Sequence, residues 1–224
     1  MNTLPNNFSI LVKILFVVLL YSSCSSNKAF NESTANHKRI AVIPFESHLK
    51  LKDSDKSKLT QQQIVAVELQ QSKDVQEAVE SYLSNKNLRV SIQSASVTNS
   101  KLSSSGIDFS KIQDYDVSKL ASILGVDAIV GGSILTEKPM NENTATSIDI
   151  AKSLESNLLG TSFTGGINTA TNRGTCRLSI FEGKNGDRIW SYSEDISLNK
   201  GSTTTDVINK LMKDASSKFP YSSK

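Results

Sequence analysis

The sequence predicts a single α/β domain: one mixed sheet with helices packed on it, closed by a C-terminal hairpin and a helix. Three observations lead there. Short β-branched apolar runs alternate with segments of helical period. Two strand-like runs are joined by the turn Gly183-Lys184-Asn185-Gly186, and a last amphipathic segment follows them. Strand–helix–strand passages favour parallel crossovers while the hairpin adds antiparallel pairs, so the sheet is mixed. A chain of 224 residues with 38% hydrophobic and 21% charged residues can fill one such core.

Lys38 to Phe45 (KRIAVIPF) is a nearly continuous apolar run ended by Pro44 and reads as a buried first strand. Residues 51–72 are ambiguous, because Val65, Val67 and Leu69 alternate like a strand within a glutamine-rich setting that favours helix. From Val75 onward, Ala78, Val79, Tyr82 and Leu83 mark one helical face, and Leu88, Val90 and Ile92 alternate as a second strand. Residues 94–110, rich in Ser, Asn and Gly, read as a loop. Asp116 is placed to cap a helix carrying Val117, Leu120, Ala121 and Leu124, with Gly125 at its C-terminal end. Val126 to Leu135 is the next strand, and Gly131-Gly132 within it suggests a bulge or a close backbone approach.

Lys138 to Asn172 is long, polar and weakly periodic, a loop insertion with a short helix through Ala151, Leu154 and Leu158. The hairpin then runs from Thr175 to Glu182 and from Arg188 to Ser197, its Asn-Gly pair supplying positive φ. Thr204 or Thr205 caps a last helix with Ile208, Leu211, Met212 and Ala215 on its buried face, and Pro220 follows its end.

The N-terminus differs in kind. Met1 to Lys13 carries one lysine, Ile14 to Leu20 (ILFVVLL) is a compact apolar run, and Tyr21-Ser22-Ser23 leads into Cys24. That order is a signal peptide over residues 1–23. A membrane-spanning helix needs about 20 apolar residues, and Lys13 interrupts the stretch too early. Leu-Tyr-Ser-Ser-Cys resembles a lipobox with Tyr21 at a position usually small and aliphatic. Acylation at Cys24 is the leading expectation, and a plain secretory signal is the alternative. Residues 24–37 then form a lipidated tether, with a flexible span of roughly 20 Å and an extended limit of about 45 Å. The second cysteine, Cys176, lies in the alternating run Cys176, Leu178, Ile180 and reads as a buried thiol, a Cys24–Cys176 disulfide being the rival.

Catalytic and ligand signatures are absent or incomplete. The two histidines are His37 in the tether and His48 past the first strand. Ser25-Ser-Asn-Lys28 and Ser197-Leu-Asn-Lys200 have Ser-x-x-Lys spacing without companion motifs. Asp53-Ser-Asp55-Lys-Ser57 lacks the glycine and the bidentate acid of a calcium loop. Trp190 and Tyr192 read as half-buried sheet residues, with a carbohydrate platform as alternative. A net charge of +3 without a basic block, and 6% aromatic residues, argue against nucleic acid. No cofactor, metal, small-molecule substrate or enzymatic activity is expected.

Three segments together carry a resemblance. Leu120-Ala-Ser-Ile-Leu-Gly-Val-Asp-Ala-Ile-Val-Gly-Gly132 resembles an "LAKxLGADAVVxG" helix-to-strand element. Phe181-Glu-Gly-Lys-Asn-Gly-Asp-Arg-Ile-Trp190 resembles a "D-x-x-T-G-x-x-x-W" hairpin, and Lys38 to Phe45 resembles the opening strand of the same proteins. These are CsgG-like envelope lipoproteins, related to the curli-secretion channel and to lipoproteins that activate penicillin-binding proteins. A similar group ends in a Lys-x-Phe-Pro-Tyr tail, where this chain has Lys218-Phe219-Pro220-Tyr221. The resemblance spans most of residues 38–221. It implies a non-enzymatic domain at the outer membrane, facing the periplasm, assembling with itself or with envelope proteins. Ser25 after the cysteine fits outer-membrane sorting, and Cys24 alone carries over as a site residue. The expectation is an accessory or scaffold protein for an export or cell-wall machine. The rivals are a subunit of an oligomeric secretion pore and, behind it, a cell-wall hydrolase.

Overall fold

A computed structural model of the protein describes residues 30–51, 56–57, 59–137, 173–198 and 204–222. They fall in two units, residues 1–36 and 37–224. In the first, a helical turn begins at Phe30, whose carbonyl accepts the Thr34 hydroxyl at 2.6 Å. The second holds strands β1 (Arg39–Val42) and β2 (Glu46–Lys50), helix α1 (Gln61–Ser84), strand β3 (Ser91–Gln93) and helix α2 (Ala95–Ser104). A 3-10 turn (Phe109–Asp114), helix α3 (Val117–Leu124), strands β4 (Ala128–Glu137), β5 (Arg173–Glu182) and β6 (Arg188–Ser197), and helix α4 (Thr204–Ser217) complete it.

The six strands form one mixed sheet in the order β3-β1-β4-β5-β6, with β2 also paired to β4. β1 is parallel to β3 and β4, and the pairs β4–β5 and β5–β6 are antiparallel. This is the mixed α/β sheet and C-terminal hairpin that the sequence predicts. The opening apolar run, however, is strand only over Arg39–Val42, and an unexpected second strand, β2, follows Phe45. Val42 lies opposite Val130 and Glu46 opposite Ser133, so Ile43-Pro44-Phe45 holds one residue more than β4 spans. Proline offers no N–H at that point. Helix α1 supplies the hydrogen bonds the bulge removes: the Gln76 amide donates to the Val42 carbonyl at 2.7 Å, and Phe45 N–H donates to the Ser72 carbonyl at 3.4 Å.

Helix α1 resolves the ambiguity over residues 51–72 for its own part. Thr60 and Gln63 form a reciprocal capping box, and Ile64, Val67, Gln71, Val75, Val79 and Leu83 line its buried face at spacings of three and four. Val65, the first residue of the strand-like alternation, is exposed. The stretch 94–110, expected to be a loop, is instead helix α2 and its exit. The Ser94 hydroxyl accepts from Val97 N–H, and Ala95, Thr98 and Leu102 are buried one helical face apart. Its serine and asparagine content lowers intrinsic helix propensity, and packing decides against it. β3 is shorter than the expected strand, with Leu88 reduced to an isolated bridge to Ser222. Helix α3 matches its reading: Asp116 accepts from Lys119 N–H at 2.8 Å, and Gly125 takes the left-handed conformation at φ 68°.

One face of the sheet packs Ala41, Ile43 and Ile129 against Leu102, Leu120 and Leu124 of α2 and α3. On the other, Val42, Val130, Ile134, Leu178 and Ile180 are buried where α1 and α4 pack. Helix α4 buries Ile208, Leu211, Met212 and Ala215, the expected face, together with Val207 and Ser216.

Candidate interaction surface

The hairpin makes the sheet asymmetric. Its turn is tight: Gly186 N–H donates to the Glu182 carbonyl at 2.9 Å, and Glu182 N–H to the Asp187 carbonyl at 2.8 Å. Only Gly186 has positive φ, 76°, so Asn185 does not adopt the left-handed conformation expected of the Asn-Gly pair. The connection is a five-residue loop, the expected Gly183 to Gly186 and Asp187, with a register shift near Ile180 and Phe181. Further along, β4 and β5 approach so closely at Gly132 that a Cβ there would stand 1.8 Å from the Arg177 carbonyl oxygen. The sequence reading of a close approach at Gly131-Gly132 holds at this residue.

On the helix side of the hairpin, Cys176, Leu178 and Ile180 are buried. Burial, and then the Glu194 carboxylate, push the Cys176 thiol up to about 12, so it stays protonated and inert at neutral pH. Trp190 and Tyr192 lie parallel at 6.3 Å, and Trp190 meets Phe219 edge-on at 5.9 Å. Both rings are half-buried, and Phe219 behind Trp190 is the packing that a structural tryptophan requires.

The opposite side is different. Cross-strand register places Glu46, Ser133, Arg177 and Ser193 in one row. His48, Leu135, Thr175 and Asp195 form the next, and Lys50, Glu137, Arg173 and Ser197 the third. Most of these side chains are exposed, with Lys50 paired to Glu137 at 2.8 Å and His48 to Glu46 at 3.0 Å. Helices α2 and α3 cover the β1 end of this face, and no described residue covers the rows on β5 and β6. The surface is flat, polar, mixed in charge and bounded by β6, whose outer edge has no strand partner among the described residues.

His37, expected at the end of a tether, belongs to the folded unit. Its Nδ1 lies 2.6 Å from the Tyr221 hydroxyl and its Nε2 3.0 Å from the Glu182 carboxylate, with 7% of the side chain exposed. Beside it, Asp127 accepts from Lys38 N–H and Arg39 N–H at 2.7 and 2.9 Å. Partial burial raises the Asp127 carboxyl, but those two amides outweigh it and leave it lowered. The Arg89 guanidinium lies 4.6 Å over the Tyr221 ring. Both ends of the unit are therefore fastened together. No sequence signal marked this clasp, because its other two members, Glu182 and Tyr221, stand 145 and 184 residues from His37.

Of the other residues singled out in the sequence, Cys24, Ser25, Lys28, Asp53, Asp55, Lys200 and the whole insertion 138–172 lie outside the described residues. No group of three His, Cys, Asp or Glu able to hold a metal occurs among the described residues. No described helix is long and apolar enough to cross a membrane. A cleft of about 500 Å³ between β2 and α1 is lined by His48, Leu49, Lys56, Gln61, Ile64 and Leu135, without a paired nucleophile and base.

No protein-family model and no curated protein matches the chain. Among solved structures, the PelC dodecamer from Paraburkholderia phytofirmans matches at 10% identity and a TM-score of 0.40, covering 84% of this chain and 89% of that one. The lipoprotein GNA1162 from Neisseria meningitidis matches at 14% identity and 0.38, over 80% and 94%. The LpoB C-terminal domain from Escherichia coli matches at 14% and 0.33, over 77% and 98%. The chain is thus structurally similar to PelC, LpoB and GNA1162, a likeness of arrangement that transfers no residue's role.

Proposed function

We propose that this chain is a lipid-anchored, non-enzymatic accessory or scaffold protein of the bacterial envelope. It is held through Cys24 at the outer membrane, facing the periplasm, and serves an export or cell-wall machine by binding proteins across its sheet. The observation that carries this reading is the polar face of β4, β5 and β6, uncovered among the described residues, a surface suited to contact and not to enclosing a small molecule. The groups nearest to chemistry point the same way. Cys176 is buried and protonated, His37 spends both nitrogens on the clasp, and His48 is exposed beside Glu46. The anchor rests on the apolar run Ile14 to Leu20 and the Leu-Tyr-Ser-Ser-Cys junction. One acyl chain binds membranes marginally, whereas the several chains of a lipoprotein hold firmly.

Two measurements test this. Cys24→Ala should move the chain from the membrane to the soluble fraction. An unmodified mature peptide that begins elsewhere removes the anchor. Crosslinking in intact cells, read by mass spectrometry, should join other proteins to residues of β5 and β6, and crosslinks confined to the helix side remove the surface.

A further inference from the structure

Among the described strands β6 is the longest with a single neighbour, β5. It runs ten residues, Arg188–Ser197, with no proline or glycine. An edge of this kind presents a row of unpaired N–H and C=O groups and is a template for another strand. The opposite edge, β3, offers three residues.

We infer that β6 pairs antiparallel with β6 of a second copy about a two-fold axis at Ser193, joining two sheets into one. The inference rests on the surface reading above and names its partner. The register follows from side chains. Directly opposed residues share a face, so a pairing centred between two residues would oppose the aromatic row of one copy to the polar row of the other. That leaves pairings centred on a residue, and overlap is greatest for those centred on Tyr192 or Ser193. Centred on Tyr192, Trp190 faces the partner's Glu194. Centred one residue later than Ser193, two Glu194 carboxylates face each other. Centred on Ser193, Trp190 faces the partner's Ile196, Tyr192 faces the partner's Glu194, and Ser191 faces the partner's Asp195. Apolar meets apolar there, a phenol meets a carboxylate, and no like charges are opposed. In the single chain the Tyr192 hydroxyl donates to its own Glu194, and since a phenol carries one hydrogen, pairing exchanges that bond for the one to the partner's Glu194.

Ser191 and Asp195 are exposed and lie four residues apart on one strand, too far to interact within a copy. They give a charge test that leaves the fold alone. Sedimentation equilibrium of the mature Cys24→Ala chain should show a reversible dimer. Ser191→Asp should raise its dissociation constant roughly two- to thirty-fold, since each opposed pair occurs twice, and Ser191→Lys should lower it. Ser191→Asp combined with Asp195→Lys should return it close to the starting value. Ser193→Cys should oxidise to a covalent dimer, because self-opposed Cα atoms stand about 4.5–5.5 Å apart, within disulfide reach. Lys184→Cys in the hairpin turn should not, and the buried Cys176 does not compete. A chain that stays monomeric up to about 1 mM, or a dimer indifferent to these charges, overturns the pairing. If such a chain still fractionates with membranes through Cys24 and crosslinks to other proteins, the scaffold reading stands without it. Loss of those two readouts with the dimer intact is the reverse case.

Discussion

Tyr221→Phe removes a single oxygen and should cost stability through a residue 184 positions away. The tautomer of His37 with hydrogen on Nε2 satisfies the clasp: Nε2–H donates to Glu182 at 3.0 Å and Nδ1 accepts from the Tyr221 hydroxyl at 2.6 Å. Without that hydroxyl, Nδ1 is left in the interior with no donor, which costs about 1–3 kcal/mol. The phenyl ring keeps its place against Phe219 at 5.7 Å and under Arg89 at 4.6 Å, so lost packing adds little. His37→Ala should cost about 2–4 kcal/mol, since it strands the hydroxyl and the Glu182 carboxylate and leaves a cavity. The double variant should cost about 1 kcal/mol less than the sum, because the second change no longer strands anything. Urea unfolding of the mature Cys24→Ala chain measures all three. With a slope of about 2 kcal/mol per molar, Tyr221→Phe lowers the midpoint by roughly 0.5–1.5 M at unchanged slope. An unchanged midpoint, or costs additive within about 0.3 kcal/mol, refutes the clasp.

Gly132→Ala should abolish cooperative unfolding or soluble expression, because its methyl would meet the Arg177 backbone and not a side chain that can turn away. Its cost should exceed the 1–3 kcal/mol usual for overpacking, and a near-normal melting temperature counts against the close approach. Cys176, with its thiol pushed up to about 12 by burial, is a thiolate in about one molecule in ten thousand at pH 8. Aromatic disulfide reagents should therefore label it only as fast as the sheet opens, and rapid labelling of native protein would show the thiol to be accessible.

Periodicity revealed what periodicity can reveal. Helix α3, with Asp116 at its start and Gly125 at its end, and helix α4 with its buried face, follow from local spacing and capping. So does the hairpin, whose strands alternate across a recognisable turn. The errors have physical causes. At Ile43-Pro44-Phe45 the apolar run continues through a bulge, so the strand expected over Lys38 to Phe45 ends at Val42, and β2 takes up the pairing with β4 beyond it. Over α1 the alternation of Val65, Val67 and Leu69 coincides with a helix whose buried polar positions, Gln71 and Gln76, disguise its apolar stripe. Those glutamines are paired: Gln71 bonds Ser47 and Thr136, and Gln76 bonds Val42 and Asn99. A buried glutamine answers to a partner far along the chain, and local pattern contains no such partner. The polar face has the same cause. The exposed parity of β5 and β6 was visible as alternation, but that it aligns with Glu46, His48 and Lys50 depends on β2, which was not expected.

The clasp also bears on how an anchored chain would stand. His37 is fastened at the hairpin-turn end of the sheet, near Glu182 and Asp127, while the ladder runs to Glu137 and Arg173 at the other end. Ten paired positions at about 3.4 Å per step separate those ends by about 30 Å. Anchored at Cys24, a single copy would have its tether at one end, and the insertion 138–172 would begin and finish at the other, away from the attachment. Pairing at β6 changes this. A two-fold axis at Ser193, opposite Arg177 and five residues from Glu182, sends the two tethers out at opposite ends of the joined sheet, about 35 Å apart along the strands. Thirteen residues from Cys24 to His37, fully extended, reach about 45 Å, more than the distance between the two attachment points, so both anchors can hold one membrane. The second anchor then binds as an intramolecular event at high effective concentration. On these readings pairing does two things at once: it closes the exposed edge, and it holds the pair to the membrane by two tethers instead of one.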